Sequence, residues 1–266
     1  IIAWMLDEYE KIKGRHVPGA ITGKPIALGG SKVREYSTSI GGAFVLQEFI
    51  EVFSMKPKTT SIVVQGFGNV GMHIAKVLDE WVYKVIAVSD SKSGIYNAKG
   101  LNIKEVIKHK EKTGNLAKFN GAKELSNKEL LELETDVLIP AALEDQITMN
   151  NAKNIRAKII LEMANGPITP EADDFLLKKN ITIIPDILAN AGGVVVSYFE
   201  WVQNSMNYYW TEEEVLDKLR VYMANAVKEL SKVCIDFKCD IRKSLYIKAI
   251  TKILEAERLR GNPGRK

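Results

Sequence analysis

Apolar residues change their spacing along this chain, and the changes divide it into elements. Ile2, Met5, Leu6, Tyr9 and Ile12 recur at helical spacing, and Gly14 closes that run. A loop rich in glycine and proline follows, through Val17-Pro18-Gly19, Gly23-Lys24-Pro25 and Gly29-Gly30. The stripe Phe44, Val45, Phe49, Ile50 and Phe53 predicts a helix capped by Ser37 or Thr38 and stopped by Pro57. Beyond it, short β-branched runs alternate with helical stripes. Ile62-Val63-Val64 and Val85-Ile86-Ala87-Val88 flank a stripe of Val70, Ile74, Val77 and Leu78. A turn at Ser93-Gly94, a helix near 103–112, a short helix capped by Ser126 and a buried strand at 136–140 come next. Strands at 158–161 and 181–184 enclose a helix capped by Thr169, with Pro170 in its first turn. This alternation predicts an α/β fold, a doubly wound, mostly parallel sheet with helices on both faces.

From Leu188 onward the pattern is helical. Thr211 to Glu214 read as a capping box, Asp240 as the cap of the final helix, and Gly261 as its end. Lacking strand partners, these helices are expected to pack as an appendage or to reach toward another domain. The chain then divides into an interdomain helix and loop (1–36), a dinucleotide-binding Rossmann-like domain (37–200) and a C-terminal helical extension (201–266).

The chemistry concentrates between Thr60 and Asp90. There a strand meets Gly66-Phe67-Gly68-Asn69-Val70-Gly71, then a helix, a second strand and a terminal acid. Gly-x-Gly-x-x-Gly alone is also an ordinary tight turn, but this order is what a dinucleotide-binding βαβ unit requires. Gly66 permits the turn, Gly68 lets the backbone approach a pyrophosphate, and Gly71 lets the helix pack on the strand. Free N–H groups from Asn69 and Val70 onward, at the positive end of the helix dipole, face the phosphates. Asp90 suits a ribose 2′-hydroxyl and favours NAD, while Ser91 and Lys92 beside it suit a 2′-phosphate. NAD is therefore expected, with NADP tolerated.

Composition removes other classes. The 266 residues carry a net charge of +4, with Lys and Arg interleaved among Asp and Glu, the pattern of solvated helix faces rather than a nucleic-acid patch. No stretch reads as a membrane span or signal peptide. Cys234 and Cys239 lack metal or redox spacing and read as reduced thiols of a cytoplasmic protein. His16, His73 and His109 are scattered, so no metal site is expected. The first residue is Ile1 rather than Met and already belongs to an amphipathic helix, which suggests a chain cut from something longer.

Loops at the carboxyl ends of the later strands complete the candidate crevice: Pro140-Ala141-Ala142, Asn165-Gly166-Pro167 and Asn190-Ala191-Gly192-Gly193, followed by Ser197. Each supplies small residues, and two supply an asparagine able to donate and accept. Singly they read as turns; three at equivalent positions favour a binding crevice.

Thr22-Gly23-Lys24-Pro25, Gly29-Gly30-Ser31, Gly66 to Gly71, Asn165-Gly166-Pro167 and Pro185 to Gly193 running into Val196 to Trp201 together resemble the nucleotide-binding half of a glutamate dehydrogenase. The likeness is to the hexameric archaeal and bacterial type within the Glu/Leu/Phe/Val dehydrogenase superfamily. Tyr246, Ala249, Glu255 and Arg260-Gly261 extend it through the final helix. The resemblance implies hydride transfer between the α-carbon of L-glutamate and a nicotinamide, giving 2-oxoglutarate and ammonia. It implies that Thr38 and Asn69 help hold the cofactor, that Asn165 and Asn190 line the same cleft, and that Ser197 contacts the side-chain carboxylate with Val194 nearby. It also implies a homo-oligomer, a hexamer.

The chain departs from the family's pattern in two places. Ser39 stands where the family has glycine, which would restrict the backbone if a positive φ were needed there. The family's catalytic lysine and acid lie in an N-terminal substrate domain that ends about where this chain begins, so no catalytic residue is expected within 1–266. Alternatives are another amino-acid dehydrogenase of the superfamily, or a dinucleotide-binding or regulatory subunit without chemistry.

Overall fold

The structure is a computed structural model and describes residues 1–261. Its sheet contains β1 (Ser61–Gln65), β2 (Lys84–Ser89), β3 (Gly94–Tyr96), β4 (Lys123–Leu125), β5 (Glu134–Pro140), β6 (Arg156–Leu161) and β7 (Thr182–Ile184). The spatial order is β4-β3-β2-β1-β5-β6-β7. β2, β1, β5, β6 and β7 run parallel, and β3 and β4 complete one edge antiparallel. Strand order reverses at β1, which lies between β2 and β5, the point where such sheets open a crevice at their carboxyl ends. The expected Rossmann-like α/β fold is therefore present.

Side chains alternate across the parallel strands and fill two cores. Ile62, Val64, Val85, Val137, Ile139, Ile159 and Leu161 face the larger one. Helices α2 (Ser37–Val52), α3 (Asn69–Glu80), α4 (Ile103–Thr113), α8 (Gly192–Met206) and α9 (Glu212–Phe237) contribute to this core. Val63, Ile86, Leu138, Ile160 and Ile183 face the smaller core, with α5 (Asn127–Leu131) and α6 (Pro170–Lys178). With both faces covered, the central strands β1 and β2 are buried along almost their whole length, which is why they read as short apolar runs.

Several local expectations change. Ser37 is the first helical residue of α2 rather than its cap, and its hydroxyl donates to the Arg34 carbonyl. The helix ends at Val52, before Pro57, which opens a separate 3-10 turn. Thr169 occupies the cap position of α6 without a side-chain capping bond. Ser93-Gly94 is no simple turn, because Gly94 opens β3. Between β7 and α8 lies the four-residue α7 (Asp186–Ala189). By contrast Ser126, Thr211 and Asp240 cap their helices as expected.

The C-terminal helices pack back against the larger core. Val215, Leu219, Met223, Val227 and Leu230 form one buried stripe along α9 that joins the larger core. The final helix, α10 (Ile241–Leu259), adds Leu245 to the same core. The buried stripe of α9 thus packs on the sheet's helical layer, while Ile250, Ile253, Leu254 and Leu259 of α10 stay exposed.

Candidate functional site: a groove along the carboxyl ends of the strands

The glycine turn joins β1 to α3, and its glycines differ in what they permit. Gly66 holds φ at 92°, and a Cβ there would lie 2.8 Å from the Ala141 carbonyl oxygen. A Cβ on Gly71 would come within 1.8 Å of the Gly66 carbonyl oxygen, so only glycine lets α3 close on the turn. Gly68 differs: its φ is −81°, and a Cβ there would meet nothing within 4 Å. That open space faces outward at the start of α3, where no side chain caps the helix. Uncapped N–H groups beside an empty approach suit an anionic phosphate.

Gly66, Gly68, Asp90 and Ser91 line one cavity of about 540 Å3. Ala141, Ala142 and Leu143 form the wall it shares with a second cavity of about 580 Å3. Thr38, Val70 and Ala142 line the second, as do Asn165, Asn190, Val194 and Ser197. Asn69, Gly71 and Lys92 line neither. Gly71 packs beneath the turn, and the Asn69 amide donates to the Glu35 carbonyl at 3.0 Å, bracing the loop before α2 against α3.

Asp90 is heavily engaged. Its Oδ1 accepts the N–H groups of Lys92 and Ser93, at 2.9 and 3.0 Å, and its Oδ2 accepts that of Leu116 at 3.0 Å. Lys110 Nζ lies 3.5 Å from the same Oδ2 and donates to the Phe67 carbonyl at 2.7 Å. Burial pushes the Asp90 carboxyl up, but the Lys92 and Ser93 N–H groups, Lys110 and the Leu116 N–H outweigh it and hold it below its usual range. Its acceptor sites serve the β2–β3 turn and the segment after α4, and Lys110 lines the cavity beside it.

At the other end, Asn190 donates through its amide to the Asn165 side-chain oxygen at 2.7 Å, joining the loops after β6 and β7. Ser197 turns its hydroxyl back onto the Gly193 carbonyl at 3.1 Å. Gly41 and Gly192 let α2 and α8 touch backbone to backbone; a Cβ on Gly192 would lie 2.2 Å from the Ser37 carbonyl oxygen. Ser39 is helical and buried and donates to the Val70 carbonyl at 2.9 Å. Its φ is not positive, so the restriction anticipated for a serine there does not arise.

Roles not assigned from the sequence complete the arrangement. Arg34 lines the second cavity, and its Nε is buried without a hydrogen-bond partner. Unsatisfied buried donors are rare, and this one lies on the wall of a cleft. Lys24 and Glu200 form an ion pair at 2.7 Å with both side chains fully buried. Glu200 also accepts the N–H groups of Gly23 and Lys24, fastening the Thr22-Gly23-Lys24-Pro25 loop to α8. These partners lie 176 residues apart, beyond any periodic signal. The run Gly29-Gly30-Ser31-Lys32-Val33-Arg34 held the available signal for Arg34, a cation closing a glycine-rich loop.

Among the described residues no group of three or more His, Cys, Asp or Glu is arranged to hold a metal ion, and no helix is long and apolar enough to cross a membrane.

Comparison with known proteins agrees with this fold. Over 262 residues the chain is 44% identical to a cryptic catabolic NAD-specific glutamate dehydrogenase of Bacillus subtilis, covering 98% of this chain and 61% of that protein. It is 43% identical over 270 residues to an NADP-specific glutamate dehydrogenase of Synechocystis, covering 98% and 63% respectively. The crystal structure of a hetero-hexameric glutamate dehydrogenase from Thermus thermophilus superposes with a TM-score of 0.91 at 34% identity, over all of this chain and 62% of that one. The chain thus spans less than two thirds of the length of these relatives. The family model for Glutamate/Leucine/Phenylalanine/Valine dehydrogenase matches residues 29–261, and the chain belongs to that family.

Proposed function

We propose that this chain is the cofactor-binding part of an NAD(P)-dependent glutamate dehydrogenase, acting on L-glutamate to give 2-oxoglutarate and ammonia. The observation that carries the reading is the groove itself. It starts at an uncapped helix beside an open glycine and ends at polar residues from four separate segments, as an extended dinucleotide needs.

Gly66, Gly68 and the first turn of α3 hold the pyrophosphate, with Asn69 and Val70 at the helix start. The adenosine ribose lies by Asp90 and Ser91. Because Asp90 already serves its own turn, Lys110 and Ser91 tip that end toward accepting a 2′-phosphate as well as a hydroxyl. Relatives named NAD-specific and NADP-specific both lie at similar identity, which agrees with such tolerance. Thr38, Ala142, Asn165 and Asn190 hold the nicotinamide end. When bound, the nicotinamide supplies hydride transfer at the substrate α-carbon. Arg34 and Ser197 face the same cleft and suit a carboxylate-bearing substrate, with Val194 on its rim. The whole protein assembles as a hexamer.

The chain covers 61–63% of the relatives it matches, and the general acid–base groups belong to the remainder. Such groups typically contribute about a hundred- to ten-thousandfold each. The 266-residue chain should therefore bind NADH yet form none from NAD and saturating glutamate, as read by absorbance. Turnover should emerge when the missing part is supplied as a separate polypeptide. Glutamate-dependent turnover by this chain alone would contradict the assignment.

A further inference from the structure

A cluster of charge lies behind the Asn165–Asn190 pair. Arg242, in the first turn of α10, donates to both oxygens of Glu162, at 2.8 and 3.1 Å, and twice to Asp173 Oδ1, at 2.7 and 3.2 Å. Its Nη1 also lies 3.7 Å from Asp186 Oδ1. Three carboxylates thus share one guanidinium, and Glu162 is fully buried among them. Burial raises the Glu162 carboxyl above its usual range, with Arg242 pulling against that rise.

Two of these acids carry the loops of the cleft. Glu162 directly follows β6, and its Oε2 accepts the Asp186 N–H at 2.8 Å. Asp186 opens α7, and its Oδ2 accepts the Gly166 N–H at 2.8 Å, in the loop that contains Asn165. The Asn190 N–H in turn donates to the Asp186 carbonyl at 3.0 Å. Asn165 and Asn190 are therefore each one step from Asp186, one along the chain beside a hydrogen bond and one through a hydrogen bond. None of the four cluster residues lines the cleft itself.

We propose that Arg242 is a positioning residue for the nicotinamide end of the groove, setting the spacing of the two loops that present Asn165 and Asn190. The inference rests on the assignment of that cleft to nicotinamide. Without the guanidinium, Glu162 is left buried beside Asp186 and Asp173, and like charges drive the loops apart. The glycine turn shares no partner with this cluster, so the phosphate end keeps its geometry. The C-terminal helix thereby becomes part of the cofactor site while touching no cofactor.

The test compares NADH with ADP-ribose, which has the adenosine and both phosphates but no nicotinamide, by calorimetry on the full 266-residue chain. Arg242→Met should raise the Kd for NADH roughly tenfold, the equivalent of one well-placed hydrogen bond or slightly more. The Kd for ADP-ribose should stay within about twofold, as expected for a site without shared partners. Adding Glu162→Gln to Arg242→Met, which removes the buried charge, should restore part of the loss. If Arg242→Met loses its native circular dichroism, Arg242→Lys, which keeps the charge without the planar fork, carries the same comparison. Equal weakening of both ligands would mark Arg242 as a general anchor of the fold and overturn the proposal, as would unchanged affinities. Wild-type chain that binds ADP-ribose as tightly as NADH would overturn the nicotinamide assignment first, and this inference with it.

Discussion

The two ends of the groove are built in opposite ways. The phosphate end is centred on one continuous stretch, since β1, the glycine turn, α3 and β2 all fall between residues 61 and 89, with Lys110 and Ala141 to Leu143 added on its walls. The cleft at the other end draws Thr38, Ala142, Asn165, Asn190 and Ser197 from separate segments. Those segments are fixed by long-range ties, namely Lys24–Glu200, Arg242–Glu162 and the close approach of Gly41 to Gly192. A local site is protected by backbone sterics, whereas an assembled site depends on charges and contacts distant in sequence. Their sensitivities should differ accordingly.

The largest effect is expected at the assembled end. Glu200→Gln leaves the Lys24 ammonium buried without its counter-charge, and breaking such a pair costs about 3 kcal/mol or more. Urea denaturation should show the midpoint falling accordingly, and an unchanged midpoint would mean that the Thr22–Pro25 loop needs no such fastening. At the local end, Gly71→Ala forces a Cβ onto the Gly66 carbonyl, at a cost of about 2 kcal/mol. NADH affinity should fall with it, because the turn can relax only by moving.

A smaller effect with a distinct pH signature is expected at Asp90. Its carboxyl sits below the usual range in the folded chain, so its stabilisation is complete above the unfolded value of about 4. That stabilisation fades as pH falls through the lower folded value. Asp90→Asn should therefore cost about 1–2 kcal/mol at neutral pH, with the deficit narrowing in acid. A deficit independent of pH would show that shape rather than charge holds the β2–β3 turn.

The same contrast governs what the sequence alone conveys. Ile62-Val63-Val64, the glycine spacing and Val85 to Val88 place β1, α3 and β2 almost to the residue, because strand and helix periods are local properties. β3 and β4 escape that reading, being three residues each on an antiparallel edge, too short to show a period. Asp90 illustrates a subtler limit. Its position at the end of β2 is legible, but Asp-Ser-Lys-Ser-Gly is also turn chemistry, and the carboxylate serves that turn. Arg34, Glu200 and Arg242 carry no periodic signal at all, because their roles arise only when segments distant in sequence meet.

Gly68 separates binding from folding more cleanly than any other position in the groove. Its conformation is open to any residue, and a Cβ there meets nothing in the protein. Valine at this position should leave the denaturation midpoint within about 0.5 kcal/mol of the wild type, as for an ordinary surface change. It would nevertheless fill the space that the pyrophosphate needs. Calorimetric titration of the wild-type chain and Gly68→Val with NADH is therefore the most direct test of the dinucleotide groove. Binding by the wild type, with no measurable binding by an equally stable Gly68→Val, is the predicted result; equal affinities would contradict it.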